Sequence, residues 1–414
     1  MNKETAMHEF KKAVVRDDSP VGHLFHALRQ KDAPMDKIRE LFAVVPADAS
    51  RTRLVDCLNV AVANGNIEAV QLFVDAKMPL DAVRPGGDPP ILHAAEGKFG
   101  EIVRLLASAG ANMDAPGKKS GNTALMRAAF HSDPETVAHL LRCSAKPDLR
   151  NKAGDTALTV AVKQNNTGVV REMMAFGIDP DTPNKTGETP LMLAAKAGHE
   201  KLIDLLIDAG ADPDKPSPDG DTAFMAAAQL GQTKSLRRLA ARGADIHTKN
   251  AQGRGALYWA VKYRRVDVVD MLVDLGVKVD DPDNTGFTCL MRAVMNGDEQ
   301  IVKKLLVAGA SPTLGDNNGI TALIYAVKTE KPVIPLLQTL IENGADIKAQ
   351  DSAGKSALDH VIADGKKEVI EYLQTAGQRQ RQARIERDAR DATILDHEIA
   401  PLRGVPFKPK PPAP

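Results

Sequence analysis

Cysteine and aromatic residues are scarce in this chain, with three Cys, one Trp and four Tyr among 414 residues. Cys57, Cys143 and Cys289 stand far apart and form no CxxC pair, which excludes a cysteine-built zinc site or a disulfide framework and fits a reducing compartment. No run approaches the ~18 consecutive apolar residues of a membrane span. The first ten residues mix acids and bases where a signal peptide needs an apolar stretch. A cytoplasmic protein is therefore expected. Net charge is zero with 26% of residues charged, so the total gives no support to binding of nucleic acid or of an anionic membrane. Any electrostatic role has to come from local segregation.

Catalytic signatures are missing as well. There is no HExxH, no GxSxG elbow and no kinase set. The nearest approach to a phosphate loop, Gly117-Lys-Lys-Ser120, has the wrong glycine spacing and carries Lys119 where Ser or Thr is needed. His93, His131, His199 and His247 are scattered, and each is expected to be satisfied locally or to face solvent. No metal, no cofactor and no enzyme are expected.

What is present is a stretch that the chain keeps rewriting. Gly187-Glu-Thr-Pro-Leu191 opens a short helix with Thr189 as N-cap and Pro190 at the first helical position; Leu191, Ala194 and Ala195 then share one face. Gly198 ends that helix, and Leu202, Ile203, Leu205 and Leu206 form the apolar face of a second one, which Gly210 closes. Helices this short are marginal in isolation, so the unit must stack on copies of itself. The Thr189 position recurs every 33 residues at Thr123, Thr156, Thr222, Gly255, Thr288 and Thr321, and with small slips at Asp56, Pro89 and Ser356. A fixed period of this size marks a helical repeat array.

The opening strings Gly154-Asp-Thr-Ala-Leu158, Gly187-Glu-Thr-Pro-Leu191 and Gly319-Ile-Thr-Ala-Leu323 resemble the ankyrin repeat family, as do the closing strings Gly110-Ala-Asn112, Gly210-Ala-Asp212, Gly243-Ala-Asp245 and Gly344-Ala-Asp346. The resemblance implies an all-α ankyrin-repeat solenoid of about ten to eleven stacked helix pairs with hairpin tips. The array proper covers 51–377. Residues 1–50 hold a helix through Met7, Phe10 and Val14 and a worn helix pair around Leu24 and Ile38, expected to cap the array. Residues 378–414 read as a charged helical extension followed by a disordered Pro-rich tail, in which Lys408-Pro-Lys-Pro-Pro-Ala-Pro414 formally matches an SH3 ligand. The alternative for the tail is plain solubilisation. The family usually places His at the fourth repeat position, where Met126, Met192, Met225 and Met291 stand here. That departure puts hairpin rigidity in question, Met as a compliant core filler being the other reading.

Counted from the Thr position, the third, sixth and seventh residues make the core, so the fifth, eighth and ninth are expected to face an open groove. The fifth is Arg127, Val160, Leu193, Ala226, Trp259, Arg292 and Tyr325 in successive repeats. The eighth is Phe130, Lys163, Lys196, Gln229, Lys262, Met295 and Lys328. The scarce aromatics gather: Tyr258, Trp259 and Tyr263 sit together, with Arg292, Met295 and Tyr325 nearby, all types that dominate interface hot spots. The alternative is that these rings thicken the core. Lys163, Lys196, Lys262 and Lys328 align beside Asp155, Glu188 and Asp221, predicting a basic groove floor next to an acidic rim. Its competing interpretation is a solvated lysine row.

The family resemblance implies protein–protein recognition by a monomeric adaptor, scaffold or inhibitor, and the family's uses extend to secreted bacterial effectors. The groove residues point to a partner protein with acidic residues and an apolar anchor. An enzyme or metabolite-binding protein with a site on the groove is the alternative, and a structural spacer a third.

Overall fold

The computed structural model describes residues 19–30, 32–46, 49, 51–83, 87–329, 334–379 and 382. The expected helix through Met7, most of the charged extension and the Pro-rich tail lie outside them. The described residues fall into two compact units, one through Ala251 and one from Gln252.

In the first unit, α1 (Pro20–Arg29) pairs with α2 (Met35–Ala43), α3 (Arg51–Ala63) with α4 (Ile67–Asp75), and α5 (Pro90–Glu96) with α6 (Gly100–Ser108). The series continues as α7 (Ala124–Phe130) with α8 (Pro134–Arg142), α9 (Ala157–Lys163) with α10 (Thr167–Ala175), α11 (Pro190–Ala197) with α12 (Glu200–Asp208), and α13 (Ala223–Leu230) with α14 (Thr233–Ala241). In the second unit, α15 (Ala256–Lys262) pairs with α16 (Val266–Asp274), α17 (Cys289–Met295) with α18 (Glu299–Val307), and α19 (Ala322–Lys328) with α20 (Ile334–Glu342). Then α21 (Ala357–Asp364) is followed by helical residues 367–379. Within each unit first helices pack on first helices. Among the described residues there is no strand, only isolated bridges such as Gly315 with Thr321 that close hairpins.

The repeat grammar acts as physical chemistry requires. Thr123, Thr189, Thr222, Thr288 and Thr321 each accept a hydrogen bond from the N–H three residues on, satisfying a helix-end donor, and Thr156 does so within a capping box with Thr159. Gly255, by contrast, makes no side-chain cap. Small residues such as Ala128, Ala129, Ala194, Ala195, Ala227 and Ala228 are fully buried, which lets the first helices approach closely. The worn N-terminal pair buries Leu24, Leu28 and Ile38, with α1 seated against α3 and Phe42 edge-on to Phe73. One opening was misplaced: Asp56 lies inside α3, which begins at Arg51 and buries Leu54 and Val55 ahead of it.

The hairpins are joined without the fourth position. Met126, Met192, Met225 and Met291 are buried as core fillers. Neighbouring tips are joined by backbone bonds, Lys152 N–H to Ser120 O at 2.9 Å, Lys185 to Gly154 at 2.8 Å and Ala251 to Asp219 at 3.0 Å, and by side-chain bonds such as Asn151 Nδ2 to Asn122 Oδ1 and Asn250 Nδ2 to Asp221, each at 2.8 Å. In the second unit the rungs are Asn284 to Gln252 at 3.0 Å, Asn317 to Thr285 at 2.9 Å and Ser352 to Asn318 at 2.8 Å. Between Lys185 and Ala251 the same place is held by Pro218, which has no N–H to give. Its ring sits over Gly187, where an added Cβ would come within 2.2 Å of Pro218 Cδ. Gly187 is thus required twice, by that contact and by its φ of 81°.

Candidate functional site

The first unit turns most of its predicted groove residues inward or neutralises them. Arg127 forms ion pairs with Asp88 and with Glu96, the latter at 2.8 Å, and its side chain is only 15% exposed. Burial pushes the Asp88 carboxyl up, but the Lys118 N–H and the Arg127 guanidinium outweigh it and leave its pKa below the ordinary value. His93 nearby is held below its ordinary pKa by burial and then by Arg127.

Lys163 and Lys196 do not form a basic floor, because each turns back on the acid at the start of its own helix. Lys163 Nζ lies 2.6 Å from Asp155 and Lys196 Nζ pairs with Glu188. Side chains on a helix tilt toward its N-terminus, and a helix of seven or eight residues is only about 10–12 Å long. Floor and rim therefore cancel. Val160, Leu193 and Ala226, expected to face the groove, are buried where α9, α11 and α13 pack on one another. Phe130 does project, 49% exposed and edge-on to His131.

The second unit assembles a face. Trp259, half-buried in the middle of α15, stacks on Tyr263 with ring centroids 6.1 Å apart and planes 20° from parallel. Lys262 Nζ lies 4.7 Å from the Trp259 centroid and 5.3 Å from that of Tyr263. Tyr263 is 39% exposed and Met295, at the end of α17, 46%. Tyr263 is followed by Arg264 at φ 56°, a left-handed position that Gly198, Gly231 and Gly297 fill in other repeats. Lys328, the eighth residue of α19's repeat, is exposed and makes no ion pair among the described residues.

Tyr258 does not belong to this face. It is 4% exposed, because it occupies the inward fourth position that methionine fills elsewhere. Its ring is flanked by the guanidinium carbons of Arg254 at 4.6 Å and Arg292 at 5.3 Å, and its hydroxyl accepts a bond from Arg292 Nη2 at 2.9 Å. Tyr325 is half-buried: its hydroxyl donates to Asp316 at 2.6 Å and its ring meets Phe287 edge-on at 5.2 Å. Burial, then the bond to Asp316, raises the Tyr325 phenol well above its ordinary pKa. Two participants escaped the sequence reading, Arg254 and Phe287. Arg254 was findable, since it stands just before the cap position where Asp155, Glu188 and Asp221 stand in other repeats.

Among the described residues no group of His, Cys, Asp and Glu is placed to hold a metal ion, and no helix is long and apolar enough to cross a membrane. A cavity of about 630 Å³ is lined by residues including Ile67 and Leu105 from second helices of the first unit and Cys143 at the end of another. Another of about 370 Å³ lies beside Ile334 and Tyr372. Neither includes the aromatic face.

A family model for ankyrin repeats matches residues 58–151, 125–217, 210–283 and 290–383. The chain belongs to the ankyrin repeat family. An E3 ubiquitin-protein ligase, XB3 of Oryza sativa subsp. japonica, is 37% identical over 76 residues, which is 17% of this chain and 17% of that protein. This chain thus spans under a fifth of the relative's length. Among solved structures, the ankyrin repeat domain of Bcl-3, described as a member of the IkappaB family, is 32% identical with a TM-score of 0.47, covering 52% of this chain and 96% of that one. As an ankyrin repeat protein the chain is a protein–protein interaction module, built on a fold that is typically non-catalytic.

Proposed function

We propose that the protein works by holding a partner protein against the Trp259, Lys262, Tyr263 and Met295 face of the second unit, as an adaptor, scaffold or inhibitor with no chemistry of its own. The observation that carries this is the grouping of large, part-exposed side chains under one cation, in a chain with a single Trp. Residues of this kind provide most of the binding energy in protein interfaces. The exposed Lys328 and the lysine over the rings favour a partner that brings acidic residues beside an apolar anchor. We place the protein in the cytoplasm as a monomer, on Cys57, Cys143 and Cys289 standing outside any disulfide and on its balanced charge. The Lys408–Pro414 string is kept as a secondary SH3-type ligand.

Quantitative affinity capture with wild type, a Trp259→Ala/Tyr263→Ala double variant and a Phe130→Ala control tests the assignment. The double variant is expected to lose proteins that the control retains. Equal capture by all three would remove the face from consideration.

A further inference from the structure

Arg127 and Arg292 occupy the same place in their repeats, four residues past the capping threonine. Their surroundings are opposite in sign. The acids that neutralise Arg127 are Asp88, just before the preceding repeat's cap position, and Glu96, seven residues after that position. The same two places ahead of Arg292 hold Arg254 and Lys262. Arg254 is engaged by Asp283 at 3.1 Å, and Lys262 lies over the Trp259 and Tyr263 rings.

Arg292 consequently has no carboxylate at ion-pair distance among the described residues. It keeps the one bond to Tyr258, and its charge is otherwise met by the faces of Tyr258 and of Phe287, whose centroid is 4.9 Å away. Its Nε is buried with no partner. The acids of the adjoining hairpins are committed: Asp283 to Arg254, to the Thr285 hydroxyl and to the Phe287 N–H, and Asp316 to Tyr325 and the N–H groups of Asn318 and Ile320. A half-buried guanidinium without a counter-ion is unfavourable, and one held in place by two rings and a phenol needs no further ordering to receive one.

We propose that Arg292 is a carboxylate-binding position, receiving an aspartate or glutamate of the partner protein while Trp259, Tyr263 and Met295 take the apolar residue beside it. This rests on the face described under Proposed function and adds to it the group that is recognised and the residue that recognises it. The planar fork of Arg292 matches a carboxylate, and Lys262 supplies a second cation toward the same side chains. A nucleic acid is the poorer occupant, because Asp283 and Asp316 stand among these cations and would oppose a continuous polyphosphate.

Linear peptides selected by display against the full chain, then synthesised and measured by fluorescence anisotropy, test the assignment. The expected peptides carry Asp or Glu within about two residues of a large apolar side chain and weaken with Trp259→Ala. Arg292→Gln weakens them at least about tenfold, as the charge-assisted bond is lost. Replacing the peptide acid by its amide has the same effect on the wild type and little effect on Arg292→Gln. If Arg292→Gln does not fold, the peptide replacement on the wild type, with Arg292→Lys as the partial rescue, decides alone. Peptides that depend on Trp259 but lack an acid, or bind Arg292→Gln unchanged, overturn the carboxylate position and leave the docking face standing. A phosphoserine preferred over Asp and Glu overturns it too. Peptides indifferent to Trp259→Ala, or none at all, overturn both.

Discussion

Lys262→Glu would place beside Arg292 the counter-charge that Glu96 gives Arg127. In the first unit that pair closes at 2.8 Å with Glu96 half-exposed, so its value is that of a part-exposed, charge-assisted bond, about 0.5–1 kcal/mol after solvent screening. Against this stands the loss of the Lys262 ammonium over Trp259 and Tyr263, also about 0.5–1 kcal/mol at a part-exposed site. The single substitution is therefore expected to change stability by no more than about 0.5 kcal/mol, although it reverses a charge within a cationic cluster. The informative quantity is the coupling. Urea unfolding of wild type, Lys262→Glu, Arg292→Gln and the double variant forms a cycle in which the introduced Glu and Arg292 stabilise each other by about 0.5–1 kcal/mol. A coupling indistinguishable from zero would refute the claim that Arg292 lacks only a partner. So would a loss above about 1.5 kcal/mol from Lys262→Glu alone, which would mean that the lysine is a structural member of the cluster.

Two further outcomes follow from the repeat chemistry and from titration. Thr189→Ala should cost about 1 kcal/mol through the lost bond to the Met192 N–H, whereas Gly255→Thr should gain only a few tenths, both read from urea midpoints. Acid should weaken the fold in two stages. His93 and His199 are lowered by burial from 6.5, so the unfolded chain binds protons first and stability falls as pH drops below that value. Asp88, Glu188 and Asp283 are also depressed, so their contribution is present above their ordinary values and is lost as pH falls through the lowered ones. Asp181, raised by burial, works in the opposite direction and softens the second stage. A stability that rose from pH 7 toward pH 5 would contradict this ordering.

The fold was legible because its signals are local. A capping threonine, a buried alanine pair and a closing glycine are each fixed by the backbone of one short helix, and the 33-residue recurrence multiplies them. Asp56 failed as an opening because α3 begins at Arg51 and runs through it. The face was half legible. Tyr263 and Met295 are exposed as counted and Trp259 is half-buried, but Tyr258 follows the core and Lys163 and Lys196 find acids on their own helices. Arg127 and Arg292 make the reason plain. Their positions within the repeat are identical, and what separates a neutralised arginine from an unpaired one is two residues of the preceding repeat. Only stacking brings those residues alongside, so counting along one helix misses them.

The missing rung at Pro218 bears on how such a chain grows and shortens. At the Ser120–Lys152, Gly154–Lys185 and Asp219–Ala251 rungs of the first unit, removing or splicing in a whole repeat would sever a backbone bridge between hairpin tips. At the junction of Gly187 and Pro218 the tips have no backbone–backbone bridge, only a ring resting on a bare α-carbon, and the hairpins are tied instead by the Asp212 N–H donating to the Asp181 carboxylate at 3.1 Å. Among the tips from Ser120 to Ala251 it is the seam at which a duplication or deletion of one repeat would break no tip-to-tip backbone bond, and a place to cut when shortening the array by design.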